Sequence, residues 1–185
     1  CYTYSVTDSA FEGSEGEYVS VITYHKAYNA DENSPAYNPD RVEVGGRTIE
    51  QRAGYLISNT LDIKLGGVAY YYVTECYFIL TDGSNYLLPY ATHRSEKVNG
   101  KEVFRMDGTY NGSSLAYTLT ANGESKSGNI GLNSPYYDNN EFHQSLRGIS
   151  TFGTSLSFSF NTAVVSASEQ TSVSLTLSVN DTETV

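Results

Sequence analysis

The residues of this 185-residue chain that could carry chemistry begin with its two cysteines, Cys1 and Cys76. A disulfide between them would close a loop of roughly 75 residues, for which chain entropy predicts a stabilisation of about 4 kcal/mol. The alternative for Cys76 is a buried thiol that packs as a small apolar side chain. A zinc site would also need histidines at suitable spacing, which His25, His93 and His143 do not show. We therefore expect no metal ion and no cofactor.

Among the carboxylates, Glu75 has the most unusual neighbours, because it stands in the largely apolar stretch VAYYYVTECYFILT (68–81). A buried carboxyl group there would have a raised pKa and could act as a general acid. The alternative, which we favour, is a carboxylate satisfied by a tyrosine hydroxyl or an arginine across the sheet. The chain contains no nucleophile elbow or similar local signature, so the sequence predicts a protein that is not an enzyme.

Two polar loops bring together oxygen-bearing side chains that could bind calcium, in NADEN (29–33) and DNNE (138–141). Neither matches an EF-hand, so we predict solvated loops and no metal site. The same loops carry Tyr37, Tyr136 and Tyr137. Tyrosine rings can stack on sugar faces while Asn and Asp bind hydroxyl groups. These tyrosines define an alternative function, that of a surface-anchored carbohydrate-binding or adhesin module.

Two asparagines, Asn111 in NGS and Asn180 in NDT, match the acceptor pattern for N-glycosylation. Such patterns occur frequently by chance in a chain rich in Asn and Ser. Asn111 falls in a predicted exposed turn, where a glycan could be attached if the source organism glycosylates.

The net charge of −10 argues against nucleic acid as a partner, because nothing in the chain could neutralise a row of phosphates. It argues equally against docking on anionic lipid. No apolar run approaches the roughly 18–20 residues of a membrane-spanning helix, so we expect no transmembrane segment.

The chain starts at Cys1 rather than at a methionine. We therefore expect removal of a secretory signal peptide and an extracellular or cell-surface location, with which the hydroxyl- and Asn-rich composition agrees. A cysteine at the first mature position also resembles a bacterial lipoprotein, in which that residue is lipidated. The segment CYTYSVT departs from that pattern because it continues directly into strand-like sequence without a flexible tether.

The elements that must position these residues are predicted to be β-strands. The chain has 17 tyrosines and much Ser and Thr, whereas charged residues are only 17% of it, a composition that suits pleated and half-buried surfaces. Six dipeptides tolerate the positive φ angles of tight hairpin turns. They are Gly45-Gly46, Gly66-Gly67, Asp82-Gly83, Asn99-Gly100, Asn111-Gly112 and Asn122-Gly123.

The sequence thus predicts an all-β protein, an antiparallel β-sandwich of Greek-key, immunoglobulin-like or jelly-roll type, formed as one domain over residues 1–185. The predicted strands are Tyr2–Thr7, Tyr18–His25, Arg41–Val44, Thr48–Arg52, Tyr55–Lys64, Val68–Thr81, Tyr86–Tyr90, Lys101–Arg105, Ser114–Ala121, Ser155–Val165 and Ser172–Val179. A short helix over residues 48–58, TIEQRAGYLIS, competes with the strand interpretation there. The strand at 68–81 is apolar on both faces, which predicts a central strand covered on both sides.

The terminal strands lack the lysines, prolines and bulges that usually protect a sheet edge. TSLSFSFN and TSVSLTLSVN alternate apolar with hydroxyl side chains, which is typical of half-buried strands. At the other end of the chain, YTYSVT has the same uncharged alternation. Such strands are either interior in their own sheet or paired with another subunit.

Our leading hypothesis is therefore a non-enzymatic, secreted subunit of an extracellular filament, pilus-like, or of a surface layer, which polymerises with copies of itself by β-strand addition. The N-terminal strand, residues 1–9, would be exchanged with a neighbouring subunit, and Tyr2, Tyr4 and Val6 would fill pockets there. Glycans are the partners expected from the binding-module alternative. A viral structural protein is a second alternative, although it would normally begin at its own methionine.

Overall fold

The computed structural model describes residues 2–5, 15–80, 87–138 and 156–179 of the chain. All regular structure in these residues is β-strand, arranged as one antiparallel eight-stranded sheet and two two-stranded hairpins. The predicted all-β, antiparallel class is confirmed, and the layering is consistent with a β-sandwich. The described part of the chain contains no helix with the length and apolarity that crossing a membrane requires.

The strands are numbered in chain order. They are β1 (Tyr2–Ser5), β2 (Glu15–His25), β3 (Glu43–Val44), β4 (Arg47–Thr48), β5 (Gly54–Leu65), β6 (Val68–Leu80), β7 (Leu87–Val98), β8 (Lys101–Tyr110), β9 (Ser114–Ala121), β10 (Glu124–Gly131), β11 (Leu156–Val165) and β12 (Gln170–Val179). The large sheet has the order β1-β2-β5-β6-β7-β8-β9-β10, with β3–β4 and β11–β12 as separate hairpins. Apart from the β3–β4 hairpin, which lies between β2 and β5 in the chain, sheet neighbours follow one another along the sequence, as in a meander.

The predicted turn dipeptides reverse the chain where expected. Asn99 and Gly100, between β7 and β8, have φ angles of 49° and 78°. Asn122 and Gly123, between β9 and β10, have φ angles of 52° and 84°. Positive φ at both central positions matches the twist of a tight antiparallel hairpin, which is why the two strands continue in register from each turn. Asp82-Gly83 lies outside the described residues.

The helix predicted as an alternative over residues 48–58 is wrong. Gly54 to Ser58 form the start of β5, which pairs with β2 on one side and β6 on the other. A helix here would leave the backbone groups of two neighbouring strands without partners. Gly54 is required for a different reason, since a Cβ at this position would overlap the carbonyl group of Phe78.

Strand β10 was not among the predicted strands, although the Asn-Gly turn before it was. Its sequence, ESKSGNIG, is polar and contains glycine, which lowers intrinsic strand propensity. Eight consecutive register pairs with β9, from Glu124↔Ala121 to Gly131↔Ser114, nevertheless place it in the sheet. Pairing with β9 therefore makes this segment a strand, although its composition does not favour one.

The two hairpins cover opposite faces of the large sheet. We call face A the face that carries Tyr77 and Asp107, and face B the face that carries Phe78 and Met106. Hairpin β3–β4 packs on face A through a core of Val42, Val44, Tyr77, Ile79 and Ala91. Hairpin β11–β12 packs on face B through Val165, over a core of Phe104, Met106, Tyr110, Leu115, Leu119, Ile130, Leu132 and Tyr136.

Strand β6 is central in the sheet, as predicted, with β5 and β7 as its neighbours. Residues 76–79 are buried on both faces: Tyr77 and Ile79 belong to the face A core, whereas Cys76 and Phe78 cluster with Ile57 on face B. The sheet is thus covered on both sides at this part of the strand, whereas Tyr71 and Leu80 are 36% and 41% exposed.

Hairpin β11–β12 has the predicted strands with alternating apolar and hydroxyl side chains. Two of its paired apolar side chains are buried to different extents. Phe160 is buried, whereas Leu175, its partner in the register, is 40% exposed. Hydroxyl pairs line the outer surface, with Ser159 Oγ and Thr176 Oγ1 2.8 Å apart. At this register position β11 is therefore buried and β12 is exposed.

Candidate functional site

Strand β1, which contains Tyr2 and Tyr4, lies at the outer edge of the large sheet. It is antiparallel to β2, with Tyr2 opposite Ser20 and Tyr4 opposite Tyr18 in the register. Among the described residues its one neighbour in the sheet is β2, which it meets over four residue pairs. Val6, the third predicted assembly residue, lies outside the described residues. The structure therefore places the predicted assembly strand at a sheet edge, held from one side.

Strand β2 extends well beyond the part that β1 covers. In the described part of the chain, no strand pairs with the outer side of Val21–His25. Three large side chains in this segment are exposed: Val21 by 37%, Ile22 by 42% and Tyr24 by 50%. Because neighbouring positions point to opposite faces, apolar surface is exposed on both sides of this edge. We call Val21–His25 the open edge.

The opposite edge of the sheet, β10, has a different surface. Glu124 and Lys126 are exposed on it, and Gly128 interrupts its side chains. The Lys126 ammonium donates a hydrogen bond to the carbonyl of Ala167, in the turn between β11 and β12, at 3.2 Å. Charged side chains and a covering segment are the usual protections against edge-to-edge pairing. Of the two sheet edges, the β10 edge is guarded and the open edge is not.

A charged cluster on face A combines residues that the sequence analysis did not connect. His93 on β7 and Asp107 on β8 are opposite in the register, and His93 Nδ1 lies 2.8 Å from Asp107 Oδ1. Arg105 Nε donates to Asp107 Oδ2 at 2.8 Å. Arg47 Nε, from the β3–β4 hairpin, lies 3.3 Å from Asp107 Oδ1. The aspartate is thus surrounded by three basic side chains.

The cluster holds the β3–β4 turn on the sheet. The Gly45 amide donates to Glu75 Oε2 at 2.7 Å, and Arg105 Nη2 donates to the Gly45 carbonyl at 2.7 Å. Ser58 Oγ donates to Glu75 Oε1 at 3.3 Å. Glu75 is therefore satisfied, as we favoured, although by a backbone amide and a serine rather than by a tyrosine or an arginine.

The ionisation of Asp107 reflects this arrangement. Burial by itself would raise its pKa. The hydrogen bonds from Arg105 and His93, together with their positive charges, outweigh burial and lower the pKa of Asp107 below its ordinary value. His93 is only 4% exposed, and a Cβ at Gly45 would overlap its ring. The imidazole is therefore enclosed between the sheet and the turn.

The sequence alone could not assemble this cluster, because its members come from positions 45 to 107 and converge only through strand pairing. The available signal was weak: the polar stretches HRSEK and FRMDG flank the Asn99-Gly100 turn, and the predicted strands Tyr86–Tyr90 and Lys101–Arg105 include neither His93 nor Asp107. Such a pattern is equally typical of a solvated sheet face.

The two cysteines are only partly accounted for. Cys76 is 1% exposed and packs with Ile57 and Phe78. Cys1 lies outside the described residues, so the disulfide and the lipidation of Cys1 stay predictions. Asn111 is exposed in the turn between β8 and β9, and Asn180 lies outside the described residues.

The three tyrosines that were candidates for sugar binding do not form a common exposed surface. Tyr37 is exposed in the loop between β2 and β3. Tyr136 is buried, its ring stacked on that of Tyr110 with centroids 6.0 Å apart, and burial raises its pKa. The Tyr137 ring meets Phe160 edge-on at 5.5 Å. Tyr136 thus packs inside the protein, and Tyr137 is half-buried beside the β11–β12 hairpin.

In the oxygen-rich loops, the described side chains of Asn29, Asp31 and Asp138 accept hydrogen bonds from within the protein, and residues 139–141 lie outside the described residues. Asn29 Oδ1 accepts from the Asp31 amide at 2.9 Å, and Asp31 Oδ1 accepts from the Asn33 amide at 3.0 Å, as in Asx turns. Asp138 is buried and accepts a hydrogen bond from the Tyr110 hydroxyl at 2.6 Å. The described residues contain no group of three or more His, Cys, Asp or Glu placed to hold a metal ion.

The cavity beside Asp138 is small. It lies between face B and β11, is lined by Arg94, Met106 and Val165 among others, and has a volume of about 50 Å³. Sites for small organic ligands usually measure about 300–1,000 Å³. The cavity has room for water molecules but not for a sugar ring.

Comparisons of the chain with protein-family models, with curated proteins and with solved structures find no match. Its function is therefore inferred from its own residues.

Proposed function

We propose that the protein is a non-enzymatic structural subunit of an extracellular assembly, a pilus-like filament or a surface layer, that polymerises by β-strand addition. The observation that carries this proposal is the position of β1, an uncharged strand at the edge of the large sheet that, within the described ranges of the chain, pairs with β2 alone. A strand held from one side can leave its own sheet without disrupting any other pair of strands.

Exchange of such a strand needs little free energy. The backbone hydrogen bonds that β1 makes with β2 in one copy are the same in kind as those it would make with β2 of a neighbouring copy. Strand exchange between identical chains is therefore a low-cost route to association. The partner is a second copy of the chain, and Tyr2, Tyr4 and Val6 are the residues of the donated strand.

The remaining features agree with a structural role. The charged cluster on face A fastens the β3–β4 turn to the sheet, so its buried imidazole and carboxylates have a structural explanation. The acidic, hydroxyl-rich composition and the exposed sequon at Asn111 support an extracellular setting.

The test compares the full chain with a variant that lacks residues 1–9. We expect the full chain to form large species in sedimentation velocity and filaments or sheets in electron micrographs, and the truncated chain to remain monomeric. A synthetic peptide of residues 1–9 should bind the truncated chain. A matched peptide with Tyr4→Pro should bind less well, because proline removes a backbone donor from the strand. Polymerisation of the truncated chain to the same extent as the full chain would contradict the proposal.

A further inference from the structure

Three Asn-Gly pairs lie in turns of the large sheet, and one of them differs from the other two in conformation. Asn99-Gly100 joins β7 to β8, Asn111-Gly112 joins β8 to β9, and Asn122-Gly123 joins β9 to β10. We propose that Asn111 is a site of spontaneous deamidation in the folded protein, whereas Asn99 and Asn122 are protected by their turns. The modification does not depend on how the chain assembles.

Deamidation of an asparagine that precedes glycine begins with attack by the next backbone nitrogen, which glycine leaves accessible because it has no Cβ. The Gly112 nitrogen loses its proton and forms a bond to Cγ of Asn111. The bond from Cγ to Nδ2 breaks, and ammonia leaves. Water then opens the resulting five-membered succinimide at one of its two carbonyl carbons, which yields aspartate or isoaspartate at position 111. Water is the one co-reactant that the sequence of steps requires.

The two tight hairpins hold the attacking nitrogen away from the side chain. Asn99 and Asn122 have φ angles of 49° and 52°, and Gly100 and Gly123 follow them at 78° and 84°. Positive φ at both central positions is typical of a type I′ turn, in which ψ of the first residue is about +30°. Because Cβ of an L-residue is rotated by about 120° from the backbone nitrogen around the Cα–C bond, this ψ places the next nitrogen nearly trans to Cβ. The succinimide ring requires the two atoms to be nearly eclipsed, so the turn must open before either asparagine can react.

Hydrogen bonds strengthen the protection of these two turns. The Asn99 amide donates to the Ala69 carbonyl at 2.7 Å, and Asn99 Oδ1 accepts from the Ala69 amide at 3.0 Å. The Asn122 amide donates to the Val103 carbonyl at 3.3 Å. Opening either turn therefore breaks hydrogen bonds to a neighbouring strand.

The turn at Asn111 has another geometry. Among the described residues, Asn99 and Asn122 are the non-glycine residues with positive φ, and Asn111 is not one of them. The Asn111 amide donates to the Ser114 carbonyl at 2.8 Å, which closes a wider loop. Within this loop the Ser113 amide donates to the Asn111 carbonyl at 2.6 Å, an i→i+2 contact with Gly112 at a φ of 61° in its centre. This is the rarer and strained form of γ-turn, and it does not hold Asn111 in the protected conformation of the other two pairs.

The reacting groups at Asn111 are accessible. Asn111, Gly112 and Ser113 are all exposed. Within the described ranges of the chain, neither the side-chain amide of Asn111 nor the backbone amide of Gly112 forms a hydrogen bond. A Cβ placed on Gly112 would meet nothing within 4 Å, so the space around the attacking nitrogen is open.

Deamidation would change both the charge and the motif of this turn. Either product replaces a neutral amide with a carboxylate and removes the glycosylation acceptor of NGS. A glycan on Nδ2 of Asn111 would in turn prevent the loss of that nitrogen as ammonia, so the two modifications exclude each other. Isoaspartate also lengthens the main chain of a turn whose Ser113 carbonyl accepts from the Leu132 amide at 2.7 Å.

Peptide mapping by mass spectrometry tests the assignment on the full chain, produced in a host that adds no N-glycans. The protein is kept at mildly alkaline pH, folded in one sample and in concentrated urea in another, and each Asn-Gly pair is followed over time. In urea the three pairs should react at similar rates, because glycine follows each asparagine. In the folded protein we expect Asn111 to react about tenfold faster or more than Asn99 and Asn122, because those two must first break hydrogen bonds of their turns.

Three results would overturn the proposal. In the folded protein, Asn99 or Asn122 could convert as fast as Asn111, or Asn111 could stay intact over the time that converts it in urea. The third is aspartate as the sole product at position 111, since direct hydrolysis of the side-chain amide gives no isoaspartate. Isoaspartate at this position is the product that the succinimide route predicts.

Two variants separate the turn from the glycosylation motif. Asn111→Gln keeps a neutral amide but needs a six-membered ring to cyclise, so it should remove the conversion at position 111 and leave Asn99 and Asn122 unchanged. The matched control is Ser113→Ala, which also destroys NGS but retains the Asn-Gly pair, and it should convert at the rate of the unmodified chain. Loss of conversion in Ser113→Ala would assign the reactivity to the serine hydroxyl and would contradict the role of the turn conformation.

Discussion

Asp107 shows at the scale of single residues how this fold accommodates charge on a sheet. Three basic groups surround its carboxylate: His93, Arg105 and Arg47. Its side chain is 15% exposed, so these interactions are partly shielded from water. Two of the partners also hold the β3–β4 hairpin, since Arg105 binds the Gly45 carbonyl and Arg47 belongs to the hairpin itself.

We expect Asp107→Asn to lower the free energy of unfolding by about 2 kcal/mol at neutral pH, because charge-assisted hydrogen bonds are lost. The pKa of Asp107 is lowered in the folded state from an ordinary value of 3.8. Its contribution is therefore fully present above that value and is lost as the pH falls through the lower, folded-state pKa. The difference between wild type and variant should shrink over that acid range.

Urea unfolding over a pH series measures this difference. Asp62→Asn is the matched control, because Asp62 is an exposed carboxylate in the middle of β5, and it should change stability by less than about 0.5 kcal/mol. A difference for Asp107→Asn that stayed constant into the acid range would contradict the role of its ionised form.

At the scale of elements, the β3–β4 turn shows how two adjacent glycines can have different roles. Gly45 and Gly46 have φ angles of +60° and +75°, so both adopt a conformation that other residues rarely take. A Cβ at Gly45 would overlap the His93 ring and approach Asp107, whereas one at Gly46 would meet nothing within 4 Å. Gly45 is therefore needed for close packing as well as for the turn.

Both Gly45→Ala and Gly46→Ala should destabilise the protein through the backbone, by about 1 kcal/mol each. Gly45→Ala should cost about 1–3 kcal/mol more, because the added methyl group must displace the ring beneath it. Thermal or urea unfolding of the two variants gives the difference directly. Equal destabilisation by Gly45→Ala and Gly46→Ala would show that the turn is not tightly packed against the His93 ring.

At the scale of the whole molecule, two hairpins on opposite faces leave the sheet with unequal edges. Hairpin β11–β12 lies near the β10 side and shields it through the Lys126–Ala167 hydrogen bond. Hairpin β3–β4 lies over β6 and β7 near the middle of the sheet. Among the described residues neither hairpin covers the open edge of β2, so the two edges of the sheet differ in how they are covered.

Net charge should control this assembly. Each copy carries a formal charge of −10, so neighbouring copies repel one another at low ionic strength. Raising the ionic strength from about 0.01 M to about 0.15 M shortens the screening length from about 30 Å to about 8 Å. We expect assembly to begin at lower protein concentration in the higher salt, as light scattering would show. Assembly that salt weakened would instead indicate an interface held by ion pairs.

The sequence by itself determined only local features of the fold. The Asn-Gly and Gly-Gly turns, the strand Ser114–Ala121 and the central position of β6 were predictable, because turn chemistry and side-chain alternation depend on residues close together in the chain. The uncharged sequence of β1 predicted a strand that is interior in its own sheet or paired with another subunit, whereas β1 lies at the edge of its own sheet.

Only the tertiary structure decided the rest. Pairing with β9 made a strand of the polar β10, and pairing with β2 and β6 removed the candidate helix at 48–58. The cluster around Asp107 and the packing of Tyr136 inside the protein depend on residues far apart in the chain. Their positions are set by which strands become neighbours and which face each hairpin covers, and no short stretch of sequence contains that information.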